Sequence, residues 1–197
     1  MRGNTVCILL AVLIAFEISI AGYLFLAVSS PSNGVLSVKE ENAASPPCIV
    51  KSGKVTVGGT SMLPLVKPGE TVTALFGYHA CHPVERDDVV LYHYAGDKNP
   101  LIKSVKAGPG DRWSLEERDG YFLIFVNGKV LENSAGEEYE IPDTNRILPL
   151  YVKDYPVIPQ NAYLILGDNP EGSLDSSRFG LIGGEDLLGK VIGTLDH

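Results

Sequence analysis

The chain has 197 residues, 45% of them hydrophobic and 20% charged, which suits one domain of ordinary size with a real core plus an accessory element. Its formal net charge of -8 leaves no basic stripe to neutralise phosphates, so nucleic acid is excluded as a partner.

The first element is the apolar run from Val6 to Val28, VCILLAVLIAFEISIAGYLFLAV. At about 1.5 Å per helical residue it is long enough to cross a hydrocarbon core of about 30 Å. It is also longer than the apolar core of a cleavable signal peptide, so a retained single-pass helix in the lipid bilayer is expected. Arg2 precedes the run, and the first charges after it are Lys39, Glu40 and Glu41. The positive-inside tendency puts the amino terminus in the cytoplasm and the remainder outside the cell membrane. Glu17 near mid-span reads as a single tolerated polar residue.

A Ser-, Pro- and Asn-rich linker, Ser29 to Pro47, follows without hydrophobic periodicity. Beyond it the segments are short, rich in Val, Ile, Leu and Tyr, and punctuated by Gly, Pro, Asn and Asp. Strands are predicted at Lys54 to Val57, Thr71 to Leu75, Asp88 to Tyr94, Leu101 to Lys106, Tyr121 to Val126, Ala162 to Leu166 and Leu188 to Thr194. Asn127-Gly128, inside YFLIFVNGKVLE, marks a tight hairpin. The fold class is mainly β: an antiparallel catalytic sheet with a small β insertion, after one N-terminal transmembrane helix. The domain reading is 1–28 for terminus and anchor, 29–47 for the linker and 48–197 for the outer domain, with the insertion at about 113–159.

Of the three cysteines only Cys48 and Cys81 lie outside the apolar run, and nothing in their spacing brings them together, so free thiols are expected. His79, Cys81 and His82 are close in sequence, but a zinc site needs three or four convergent ligands. A polar loop is the simpler reading, and no metal is expected.

Chemistry points to two segments, GTSMLPLVKPGE (Gly59 to Glu70) and LIKSVKAGPGD (Leu101 to Asp111). A serine hydroxyl is a weak nucleophile until a base takes its proton, and a lysine can be that base only if its pKa is lowered. In a strand over Leu101 to Lys106, Lys103 shares a face with Leu101 and Val105, while Lys106 lies with Ile102 and Ser104. The apolar neighbours fit Lys103 either as a desolvated base or as a lysine that reaches solvent from a strand end. Ser61 follows a glycine turn and precedes Met62-Leu63-Pro64, a plausible nucleophile position. No serine has a lysine three residues later, no Gly-x-Ser-x-Gly elbow occurs, and the histidine spacing supports no Ser-His-Asp triad.

Ser61 to Pro64, Ile102 to Val105 running into Gly108 to Asp111, and GDNPEGSLDSSRFG (Gly167 to Gly180) together resemble three boxes of type I signal peptidase. Asp87 to Val90 and Phe125 to Gly128 are weaker matches. The resemblance implies a membrane-bound serine endopeptidase that cleaves signal peptides from exported preproteins without a cofactor. It implies Ser61 as nucleophile, Lys103 as general base and then acid, Ser173 as a hydroxyl orienting the amine, and Asp175 in an ion pair with Arg178. Substrates would lie extended along a strand edge, with small residues at the first and third positions before the cut.

Three positions depart from that pattern. Gly59 stands where the family commonly has a serine that donates to the oxyanion, leaving the Ser61 N–H with help from Thr60 or water. Ser104 replaces an arginine after Lys103, and Ser177 replaces one near Asp175, with Arg178 a place later. A narrow-client Ser-Lys processing peptidase, of the conjugative-transfer or pilin type, and a non-catalytic membrane-anchored β binding domain are the competing readings.

Overall fold

The computed structural model describes residues 48–95 and 99–194. The predicted anchor, Glu17 and the whole of the linker lie outside the described residues. Among the described residues no helix is long and apolar enough to cross a membrane.

Eleven strands and two α-helices make up the described chain. Seven strands form the main sheet: β1 (Lys51–Thr56), β2 (Thr71–Phe76), β3 (Val89–Tyr92), β4 (Leu101–Ala107), β9 (Ala162–Leu166), β10 (Ile182–Gly183) and β11 (Leu187–Thr194). Their order is β1-β2-β11-β3-β4-β9-β10, with every pairing antiparallel. Between β4 and β9 in sequence come β5 (Trp113–Arg118), β6 (Tyr121–Val126), β7 (Lys129–Val130) and β8 (Glu140–Pro142), which form a second sheet centred on β6. The β6–β7 hairpin turns at Asn127 and Gly128, with φ of 52° and 79°, the left-handed pair that this dipeptide supplies.

The central strands are buried on both faces, which is why β9 reads as a continuous apolar run, while β4 buries Lys103, Ser104 and Lys106 among its apolar residues. On one side Val90, Tyr92, Val105, Ile165 and Ile182 pack together. On the other, Trp113, Ile124, Val126, Leu148, Leu164 and Leu166 join the second sheet to β9 and to helix α1 (Ile147–Asp154). That helix starts under the side chain of Asn145, whose Oδ1 accepts from the N–H groups of Ile147 (2.9 Å) and Leu148 (3.1 Å). Helix α2 (Ser176–Phe179) is a single turn after β9.

Cys48 and Cys81 are joined in a disulfide with Cα atoms 5.6 Å apart, which corrects the expectation of free thiols. The pairing of β1 with β2 carries Cys48 back to the short 3-10 turn Tyr78–Ala80, a tertiary closeness that a separation of 33 residues does not reveal. With both sulfurs spent on each other, His82 beside them has no thiolate with which to share a metal.

Candidate active site

Beyond β1 the chain turns through Gly58, Gly59 and Thr60 into a loop closed by Leu63 N–H to the Thr60 carbonyl (3.1 Å) and Val66 N–H to the Met62 carbonyl (2.8 Å). Met62, 1% exposed, is driven into an apolar cluster with Val57, Val66, Val72, Leu91 and Ile102. Its burial anchors the loop and leaves its neighbour Ser61 half-buried at the rim. A second loop grips this one: Asn169 donates its backbone N–H to the Ser61 carbonyl at 2.9 Å and its side-chain amide to the Thr60 carbonyl at 3.5 Å.

Lys103 comes up from β4, and its Nζ lies 2.8 Å from Ser61 Oγ and donates to the Ile102 carbonyl at 2.7 Å. The side chain is 2% exposed. Burial pulls its pKa down to about 8, against the smaller opposing pull of the Asp175 charge. Lys106 is also buried, contrary to the expectation that only one lysine loses its water. The two differ in partner: Lys106 Nζ is paired with Asp87 at 3.0 Å and donates to the Glu132 carbonyl, whereas Lys103 meets a hydroxyl and a carbonyl.

The third segment supports the loops in a different way from that expected. Asp175 forms no ion pair with Arg178 among the described residues; Arg178 is exposed, and the buried Asp175 carboxylate accepts from the N–H groups of Gly167 (2.8 Å) and Ser177 (2.9 Å). Asp175 thus caps α2 and ties it to the end of β9. Ser173 is buried, but its Oγ has no hydrogen-bond partner among the described residues, so the expected bond to the Lys103 amine is replaced by the Ile102 carbonyl. Ser173 sits instead against Gly167, where an added Cβ would collide with Ser173 Oγ and the Ser61 carbonyl. Only glycine admits that approach.

Gly59 and Thr60 are exposed beside the nucleophile, and a Cβ on Gly59 would meet nothing within 4 Å. The Ser61 N–H has no backbone partner among the described residues. Sequence reasoning assigned no role to Asn169 or to the Ile102 carbonyl. The Gly-Asp-Asn turn could have signalled the first; the second is a main-chain contact with no side-chain signature.

Two strand edges open beside the dyad. β1 pairs with β2 alone, and Leu101 to Lys103 pair with β3 alone, because β9 joins β4 from Ser104 onward. Between them lies a cleft of ≈ 730 Å³ lined by Val55, Thr56, Gly58, Gly59, Asn99, Pro100 and Leu101.

Residues 47–195 match the family described as "Signal peptidase, peptidase S26". The chain belongs to this family. It is therefore a serine peptidase, a hydrolase, which sets aside the non-catalytic binding reading. Signal peptidase IB of Staphylococcus aureus (strain COL) is 33% identical over 145 residues, covering 69% of this chain and 73% of the relative. Signal peptidase I of Bacillus caldolyticus is 28% identical over 144 residues, covering 68% and 74%. A crystal structure of a signal peptidase I from Enterococcus faecalis V583 aligns with 56% of this chain and 98% of that one at 19% identity and a TM-score of 0.41, a likeness that adds nothing to the family assignment.

Proposed function

We propose that this family member is a membrane-anchored endopeptidase that removes N-terminal signal peptides from exported preproteins through a Ser61–Lys103 dyad. The observation that carries the reading is the 2.8 Å contact between Ser61 Oγ and an amine that is buried and free of any carboxylate partner among the described residues. With its pKa near 8, a useful fraction of Lys103 is neutral at neutral pH and able to accept a proton.

Lys103 takes the Ser61 proton as Oγ attacks the scissile carbonyl, and the Ile102 carbonyl holds the amine in line. The tetrahedral oxyanion is received by the Ser61 N–H, with Thr60 or water in the place left open at Gly59. Lys103 returns the proton to the leaving amine, the signal peptide remains as an acyl ester on Ser61, and water attacks that ester with Lys103 again acting as base. The open edges of β1 and of early β4 supply backbone donors and acceptors for an extended signal-peptide segment. Small residues at the first and third positions before the cut, which the resemblance to type I signal peptidase implies, suit such an edge-bound segment.

The Cys48–Cys81 disulfide supports placement of the domain on the outer, oxidising side of the membrane, with the Val6 to Val28 run as anchor. The test is cleavage of a preprotein carrying an Ala-x-Ala site by the detergent-solubilised full chain, beside Ser61→Ala and Lys103→Met. Cleavage by the parent and none by either folded variant is expected. Activity surviving in Lys103→Met would sink the dyad.

A further inference from the structure

A second cleft, of ≈ 440 Å³, is lined by Leu63, Pro64, Asn133, Ala135, Glu137, Asn169 and Pro170, and shares no lining residue with the cleft between β1 and β4. It starts beside the catalytic loop, since Asn169 both lines it and binds the Ser61 carbonyl. The first cleft is lined by Gly58 and Gly59, just before Ser61, and the second by Leu63 and Pro64, just after it, so residues before the cut lying between β1 and β4 leave the second cleft for those after it. Leu63 and Pro64 make the near wall apolar, and Glu137 is the charged residue of the lining.

The carboxylate of Glu137 is held in place. Buried Asn133 donates its amide to Glu137 Oε2 at 2.9 Å, and its Oδ1 accepts from the N–H groups of Ala135 and Glu137, both at 2.9 Å. Ser134 then fastens the turn to the active-site side, its N–H donating to Asp168 Oδ1 at 2.9 Å and its hydroxyl donating to Oδ2. Asp168 immediately precedes Asn169 and Asn133 immediately precedes Ser134, so hydrogen bonds joined through these chain neighbours link the Ser61 carbonyl to Glu137. A charge fixed in this way discriminates without first being ordered by the substrate.

We infer that the second cleft takes the first residues of the mature chain after the cut, and that Glu137 is a specificity-determining residue that favours lysine or arginine over aspartate or glutamate there. The inference rests on the peptidase reading above. An exposed charge pair is a modest force, so attraction of one sign and repulsion of the other combine to a preference of about three- to tenfold at low ionic strength, fading with added salt.

The experiment uses the full chain in detergent and a series of preproteins sharing one Ala-x-Ala site, with Lys, Ala or Glu placed in turn at positions one to four after the cut. The readout is the ratio of kcat/KM for the Lys and Glu substrates, taken within each enzyme so that general changes in activity cancel. In wild type the ratio is expected at about three to ten at one or more positions, near one in Glu137→Gln, which keeps an acceptor for Asn133, and below one in Glu137→Lys. A ratio that is the same in wild type and Glu137→Gln at every position overturns the inference while leaving the peptidase reading intact. Failure of wild type to cleave the all-alanine parent takes down both.

Discussion

Asp87 holds Lys106 Nζ at 3.0 Å, so of the two buried lysines on β4 only Lys103 reaches the nucleophile without a carboxylate of its own. A buried ammonium without a carboxylate partner is pushed toward its neutral form, in which it can accept a proton. The activity of the peptidase should therefore follow the titration of one lysine. With the Lys103 pKa lowered to about 8, kcat/KM should rise with pH, from roughly a tenth of its plateau at pH 7 through half-maximum near pH 8. A pH–rate profile of wild type and Lys106→Met checks this: Asp87 is exposed and water solvates it once its partner is gone, so the variant should fold and keep the same midpoint.

The same burial makes Lys103 a stability liability. Its folded-state pKa lies below the unfolded value, so between about 8 and 10.5 the unfolded chain binds more protons and stability rises with pH; below about 8 the full penalty applies. Replacing Lys103 by the similarly long and uncharged Met should stabilise the domain at pH 7 by about 1–3 kcal/mol, with the gain shrinking toward pH 10.5. Denaturant titrations of wild type and Lys103→Met at pH 7 and pH 10 measure both ends. A destabilised variant at pH 7 would mean that the amine is well solvated.

All seven strands predicted from short β-branched and aromatic runs appear in the main and second sheets, and Asn127-Gly128 makes its hairpin, because those signals are local. What stayed hidden was set by tertiary contact. β5 reads WSLEER, and its outer half is charged because it is exposed, so it lacks an apolar signature. Helix α1 carries Pro149 near its start, which reads as a breaker but is tolerated in a first turn. At the site, a glycine turn and an alternating strand made Ser61 and Lys103 candidates, and the resemblance to the signal peptidase boxes paired them; the two lie 2.8 Å apart. The partners of Ser173, Asp175 and Cys48 were not, since each depends on loops folding back over β9 or β2.

Gly59 offers a test by addition. A Cβ there meets nothing within 4 Å, so Gly59→Ser should fold as wild type does. Its hydroxyl would stand two residues before the nucleophile, where the resemblance to type I signal peptidases places an oxyanion donor. Because one such donor is worth about 10²-fold or more in turnover, even an imperfectly aimed hydroxyl should raise kcat by roughly tenfold or more. The measurement is kcat on a saturating Ala-x-Ala substrate. An unchanged kcat would show that other donors, such as water or Thr60, already fill that role.

Asp175 links structure to proton affinity and lets the two be separated. Its carboxylate accepts from Gly167 and Ser177, and its charge pulls the Lys103 pKa upward against burial. Asp175→Asn keeps one acceptor oxygen but loses the charge and one buried bond, which should lower stability by about 1–3 kcal/mol. With the opposing pull gone, desolvation acts alone on Lys103, and the midpoint of the pH–rate profile should move below about 8. A purely structural role predicts a weaker enzyme with an unmoved midpoint; a shift downward, measured on the folded fraction, shows that Asp175 sets the base strength of Lys103 from behind the catalytic loop.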